Sequence, residues 1–154
     1  MIQDQFSLKD KTAIVTGASR GLGKAMALAL AKAGADLVIA ARTAAGLEET
    51  AHDIEKIGRK AIPVKCNVME QSDIQQVINT GLTELNGVDI LVNNAGISIR
   101  KSFRDIEYQD WQRQMMTNLD AVFFACKAVG AHMVKKRSGK VINIASVMAE
   151  RVSY

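Results

Sequence analysis

Thr12-Ala13-Ile14-Val15-Thr16-Gly17-Ala18-Ser19-Arg20-Gly21-Leu22-Gly23 is the stretch on which the fold turns. A short β-branched run stops at Gly17, Gly21 and Gly23 follow, and an Ala/Leu/Met segment continues at helical spacing. That order predicts strand, glycine turn, helix. Gly17 lets the chain leave the strand sharply, Gly21 lets backbone amides approach a pyrophosphate, and Gly23 lets the helix start lie against the strand. The orphan N–H groups and the positive dipole end at Gly21 to Lys24 then face phosphates. A bare glycine triplet also marks plain turns. Its placement between a buried strand and an amphipathic helix is what points to dinucleotide binding.

Outward from this stretch, strand and helix periods alternate along the chain. Ala13 to Thr16 reads as the first strand, and Leu22, Met26, Ala29, Leu30 and Ala33 as the apolar stripe of the first helix, stopped by Gly34. Asp36 to Ala41 is a second buried strand; Thr43 is placed to cap a helix reaching about Ile57, ended by Gly58. Ala61 to Cys66 is the third strand, Ser72 opens a helix with Ile74, Val77, Ile78, Leu82 and Leu85 on one face, and Gly87 precedes strand Val88 to Val92. A longer helical segment, with Trp111, Met115, Leu119, Val122, Cys126, Val129 and Met133 inward, leads to strand Val141 to Ala145. Such alternation predicts an α/β fold with parallel strands and right-handed crossovers, and leaves strand order open.

Composition narrows the class. With 154 residues, 48% hydrophobic and 23% charged, the chain has room for one core and no second domain. No apolar run approaches the roughly 20 residues of a membrane span, and the N-terminus lacks a basic region followed by an apolar one, so the expected location is the cytoplasm. Cys66 and Cys126 are isolated and read as buried free thiols, and His52 and His132 lack ligand spacing, so no metal site is expected. The net charge of +4 raises nucleic acid as a partner. Its densest run, Lys135-Lys136-Arg137, falls at a helix C-terminus, where cations complement the dipole, and 5% aromatic residues leave few stacking platforms. No nucleic-acid partner is expected.

A second signal, Asn93-Asn94-Ala95-Gly96, follows the fourth strand. Paired with Gly-x-x-x-Gly-x-Gly, it makes the chain closely resemble the classical short-chain dehydrogenase/reductase family, from about Leu8 to the last residue. The resemblance implies a Rossmann-type doubly wound parallel sheet in the order 3-2-1-4-5, a single dinucleotide-binding domain over residues 1–154, and hydride transfer between nicotinamide and a ketone or secondary alcohol. It assigns cofactor binding to Gly17, Ser19, Arg20, Gly21, Leu22 and Gly23 in the turn, to Asn67 and Val68 beside adenine, and to Asn94, Ala95 and Gly96 on the nicotinamide ribose side.

Cofactor choice is read at the end of the second strand. Ala41 stands where an acid would hydrogen-bond the ribose of NAD, and Arg42 follows; family likeness directs Arg20 to the same ribose. Two guanidinium groups and no carboxylate favour a 2′-phosphate, hence NADP over NAD, although two surface arginines would give the same pattern. Asn118 interrupts an apolar helical face, as either a satisfied core amide or a catalytic one. The resemblance makes it the residue that kinks the helix and holds a water in a proton relay. By the same likeness Ser146, after the fifth strand, binds the reacting oxygen.

The chain departs from the family at its end. The family's tyrosine acid/base lies within Tyr-x-x-x-Lys, whereas Tyr154 follows Ser146 too soon and no lysine follows it, so the catalytic role is not carried over to Tyr154. A tyrosine near its ordinary pKa of about 10 needs a neighbouring cation to act at neutral pH. The expectation is therefore a domain incomplete at its C-terminus, with negligible turnover by these residues alone and an apolar edge at Val141 to Ala145. Several stretches look most like gluconate 5-dehydrogenases and neighbouring sugar-acid reductases, among them Asn94-Ala95-Gly96-Ile97 and Gly139-Lys140-Val141-Ile142-Asn143-Ile144. Arg100, Lys101, Arg104 and Arg151 are candidates to meet a carboxylate, with surface solvation the alternative. Complete relatives pack the helix around Asn118 to Met133 in dimers or tetramers, so a homo-oligomer is expected. The competing class is a non-catalytic nucleotide-binding module that associates with another chain.

Overall fold

The structure is a computed structural model that describes residues 6–146; Tyr154 and Arg151 lie outside the described residues. Five strands, β1 (Thr12–Thr16), β2 (Asp36–Ala41), β3 (Ala61–Lys65), β4 (Ile90–Asn93) and β5 (Lys140–Asn143), form one parallel sheet in the order β3-β2-β1-β4-β5. The crossovers are α1 (Gly21–Lys32), α2 (Ala44–Lys56) and α3 (Gln71–Glu84). The last is a compound segment, α4 (Tyr108–Met115), a π-helical turn (Met116–Asp120) and α5 (Ala121–Lys136). The expected sheet order is the observed one.

Period-two alternation distributes each strand between two layers. Ala13, Val15, Leu37 and Ile39 pack with α1 and α2 through Ala27, Ala31, Leu47 and Ile54. Ile14, Val38 and Ala40 pack with α3 and α5 through Val77, Ile78, Ala125 and Val129. A sheet covered on both faces needs strands apolar throughout, which is why β1 is buried along its whole length. On the edge strand β3, Pro63 pairs with Ile39 of β2, a position that tolerates its missing N–H.

Two helix faces differ from the sequence expectation. The buried residues of α1 are Gly23, Ala27 and Ala31, whereas Leu22 and Ala29 are exposed. The small residues let α1 approach β1 and β2 closely, and the larger ones flank the contact. In α5 the expected Val129 is buried with Ala121 and Ala125, and Cys126 and Met133 pack against the core, whereas Trp111 of α4 and Leu119 of the π-helical turn are exposed. The π-helical turn adds a residue to one turn and breaks the constant 3.6 period on which the expected stripe rested. Smaller shifts occur at element ends: α3 opens at Gln71 rather than Ser72, and β4 begins at Ile90 with Val88 already buried before it.

Asp89 enters β4 nearly buried. It accepts a hydrogen bond from Thr12 N at 3.0 Å and an ion-paired one from Lys136 Nζ at 2.7 Å. Part of the basic run at the end of α5 is thus partnered to the sheet. Burial by itself would raise the Asp89 pKa, but the Lys136 and Thr12 bonds hold it below the ordinary 3.8. A depressed folded pKa means stability that is present above the unfolded-state value and lost as pH falls through the folded one. Asp89→Asn is therefore expected to cost about 1–3 kcal/mol at pH 7 and progressively less below about pH 4, as urea melts across that range will read.

Candidate functional site

Parallel strands bring all their carboxyl ends to one edge of the sheet, and there a cavity of ≈ 580 Å³ opens. It lies where the strand order reverses about β1, the switch point at which open α/β sheets bind ligands. The loop after β1 contributes Gly17, Ser19, Arg20, Gly21, Leu22 and Gly23. The end of β2 and the first turn of α2 give Ala41, Arg42, Thr43 and Gly46; the loop after β3 gives Cys66, Asn67, Val68 and Met69; the loop after β4 gives Asn94, Ala95, Gly96 and Ile97. Arg113 and Thr117 complete the wall. Every residue that the sequence pointed to for cofactor binding lines this one cleft.

The glycine turn is built as a cradle. Gly17 has φ +68° and Gly21 φ +57°, left-handed conformations that favour glycine. A Cβ on Gly23 would fall inside the contact radius of the Gly17 carbonyl oxygen and 2.6 Å from Asn94 Nδ2. On Gly21 it would meet nothing within 4 Å, so that residue faces the open cleft. The first turn of α1 carries no acidic side chain, leaving its unpaired N–H groups to an anion.

This turn is tied to the loop after β4. Asn94 Nδ2 donates to Thr16 O at 2.9 Å and Gly17 O at 3.3 Å. The Thr16 hydroxyl accepts from Asn94 N and Ala95 N, both at 3.0 Å, and donates to Val92 O at 3.4 Å. Asn93-Asn94-Ala95-Gly96 is therefore more than a turn after a strand: its second asparagine braces the turn that the glycines form.

On the opposite wall, Asn67 Oδ1 accepts from Met69 N at 3.3 Å, an Asx-type turn that leaves the Asn67 NH₂ group without a partner among the described residues. Cys66 is buried beside it, and burial, with the charge of Asp73 second, pushes its thiol up to about 12. It is not a nucleophile at neutral pH. Among the described residues, three arginines and no carboxylate or aromatic ring line the cleft. Among the described residues no group of three or more His, Cys, Asp or Glu side chains is placed to hold a metal ion, and no helix is long and apolar enough to cross a membrane.

Asn118 and Ser146 stand apart from the cavity wall. Asn118 lies in the π-helical turn and is exposed rather than in a buried face; its Oδ1 accepts from Ile97 N at 2.9 Å and its Nδ2 donates to Ile97 O at 2.8 Å. The segment it holds runs on to Ile99, whose N–H donates to Gln114 Oε1 at 2.9 Å. Ser146 is exposed, three residues beyond β5 at the same edge of the sheet.

Gly46 and Arg113 were not anticipated. A Cβ on Gly46 would lie 2.9 Å from Ser19 O, so α2 starts hard against the glycine turn. A glycine inside a first helical turn, where no cap requires it, is the signal that could have found it. Thr43 sits at the N-cap of α2 yet makes no side-chain cap bond.

The short chain dehydrogenase family model matches residues 11–154. The chain belongs to that family. Among curated relatives it is 39% identical over 96% of its length to gluconate 5-dehydrogenase of Gluconobacter oxydans. It is 41% identical over 92% of its length to a 3-oxoacyl-[acyl-carrier-protein] reductase of Synechocystis. The chain spans 57% and 58% of the length of these two proteins. Among solved structures, it superposes with a TM-score of 0.94 on a 7α-hydroxysteroid dehydrogenase complexed with NADH and 7-oxo glycochenodeoxycholic acid, at 31% identity. That superposition covers 97% of this chain and 58% of the other. The glycine cradle and the Asn93-Asn94-Ala95-Gly96 loop are thus set in a short-chain dehydrogenase framework.

Proposed function

We propose that this short-chain dehydrogenase chain forms the cofactor-binding part of an NADP-dependent oxidoreductase acting on a ketone or secondary alcohol. The observation that carries the cofactor choice is Arg20 and Arg42 on one cleft wall, with Ala41 and no carboxylate beside them. An arginine fork binds a 2′-phosphate, and among the described lining residues no carboxylate is present to take the ribose 2′-OH of NAD. The pyrophosphate is taken by the N–H groups of Gly21 to Gly23. When bound, the nicotinamide supplies the hydride. Equilibrium titration is expected to show NADPH bound tighter than NADH, and equal affinities would overturn the assignment. In the same titration Arg42→Ala is expected to weaken NADPH about 10- to 100-fold while leaving NADH nearly unchanged.

Ser146 is the residue we assign to the substrate oxygen and Asn118 the one assigned to a bound water. After its two bonds to Ile97, Asn118 retains a lone pair on Oδ1 and a hydrogen on Nδ2, which is what a water requires. Likeness to gluconate 5-dehydrogenase supports a sugar acid such as keto-gluconate as substrate, with Arg100 or Arg104 meeting its carboxylate, since Lys101 is ion-paired with Asp110. Exposed Trp111, Leu119 and Phe123 along α4, the π-helical turn and α5 support self-association into a homo-oligomer. A screen of keto-sugar acids with NADPH, using the longest form of the protein the gene encodes, tests the substrate reading. Turnover of 3-oxoacyl thioesters alone would replace it.

A further inference from the structure

The third cleft arginine, Arg113, has a different setting from Arg20 and Arg42. It lies in α4, one turn before Thr117, whose hydroxyl donates to Arg113 O at 2.8 Å. One turn beyond Thr117, Ala121 and Val122 share a small void with Val68 and Ala95. The helix therefore rises along the wall made by Val68 and Ala95, and Arg113 is its outermost contribution to the cleft. Arg113 is exposed and, among the described residues, makes no ion pair within 4 Å, although its charge acts on Asp110 one turn earlier in α4.

The phosphates of a dinucleotide are already provided for on the other side, by the N-terminus of α1 and by Arg20 and Arg42. On the dinucleotide reading, the short-chain dehydrogenase resemblance puts the base beside Asn67 and Val68, in the loop after β3 that lines the same cleft. That loop offers apolar Val68 and Met69 and the Asn67 NH₂, a set suited to a purine face and a purine ring nitrogen. Among the described residues the cleft carries no aromatic side chain to supply a planar face. A guanidinium is planar, weakly hydrated and stacks on aromatic faces. We propose that Arg113 closes the adenine subsite by stacking its guanidinium on the base.

The inference rests on the dinucleotide reading of the cleft, and the experiment separates the two. Calorimetric titration would use ADP-ribose, which carries adenine and no nicotinamide, alongside NADPH and NADH. Arg113→Lys keeps the charge and loses the plane, Arg113→Met loses both, and Arg113→Trp restores a plane without charge. Substitution leaves the backbone oxygen that serves Thr117 in place, and the far-UV spectrum of each variant verifies the helix. Both Arg113→Lys and Arg113→Met are expected to raise the Kd for ADP-ribose about fivefold to twentyfold, with Arg113→Trp within about threefold of the parent. Parent-like affinity in Arg113→Lys would overturn stacking in favour of a point charge, and parent-like affinity in all three would overturn any role at the base. Failure of the unsubstituted protein to bind ADP-ribose, NADPH or NADH would overturn the dinucleotide reading itself and this inference with it.

Discussion

Replacing Gly23 by alanine is expected to abolish dinucleotide binding and to cost about 3 kcal/mol or more of stability, far beyond the price of a glycine-to-alanine change in an ordinary helix. The added methyl would enter the contact radius of the Gly17 carbonyl oxygen and stand 2.8 Å from its carbonyl carbon, and both partners are backbone. A flexible side chain could turn aside; a carbonyl inside a tight turn cannot. Relief requires α1 to slide off β1, and that opens the cradle and pulls Asn94 Nδ2 from Thr16 O and Gly17 O. Gly21→Ala is the control. It meets no atom within 4 Å but sits at φ +57°, so its cost is the left-handed backbone penalty of about 1–2 kcal/mol without displacement of the helix. Urea melts of both variants, read beside NADPH titrations, test the difference: equal destabilisation would remove the close-approach explanation.

Thr16→Val is the second large effect. The two side chains have nearly the same shape, so packing at this buried position is kept while the hydroxyl is lost. That hydroxyl is the acceptor for Asn94 N and Ala95 N, and each stranded amide costs about 1–3 kcal/mol. The expected loss is about 2–4 kcal/mol, accompanied by weaker cofactor binding because the loop after β4 is no longer tied to the glycine turn. Thr16→Ser retains the oxygen and is expected to recover most of both. If valine and serine variants behave alike, the hydroxyl is not the tie. Amide hydrogen exchange at Asn94 and Ala95 reports the same contrast locally, with protection lost in the valine variant and kept in the serine one.

Local chemistry accounts for what was legible in the residues themselves. The turn from Gly17 to Gly23 was readable because its glycines take conformations and spacings set by the local strand-to-helix turn, with the loop after β4 closing on Gly17 and Gly23 from farther along the chain. The alternation of β-branched runs with helical stripes gave a parallel α/β sheet for the same reason. Strand order did not follow from alternation; it followed from the family likeness of the glycine turn and Asn93-Asn94-Ala95-Gly96, and the sheet bears it out. The cleft residues named from sequence sit at strand ends, which parallel topology necessarily gathers at one edge.

Tertiary structure alone decided the rest. Spacing read Cys126, Val129 and Met133 of the last crossover's inward face but not its start, because the π-helical turn at Met116–Asp120 alters the period where Asn118 lies, leaving Trp111 and Leu119 exposed and placing that amide on the Ile97 backbone. The buried face of α1 is Gly23, Ala27 and Ala31 and that of α5 is Ala121, Ala125 and Val129, small and compact residues at i, i+4 and i+8 that let each helix lie close to the sheet. Gly46 and Arg113 belong to the cleft only because α2 and α4 pass over it, from positions far apart in the chain. Sequence determined which local conformations were allowed and which strand ends would carry the site. Packing, which sums contacts between residues with no sequence relation, determined which side chains meet there.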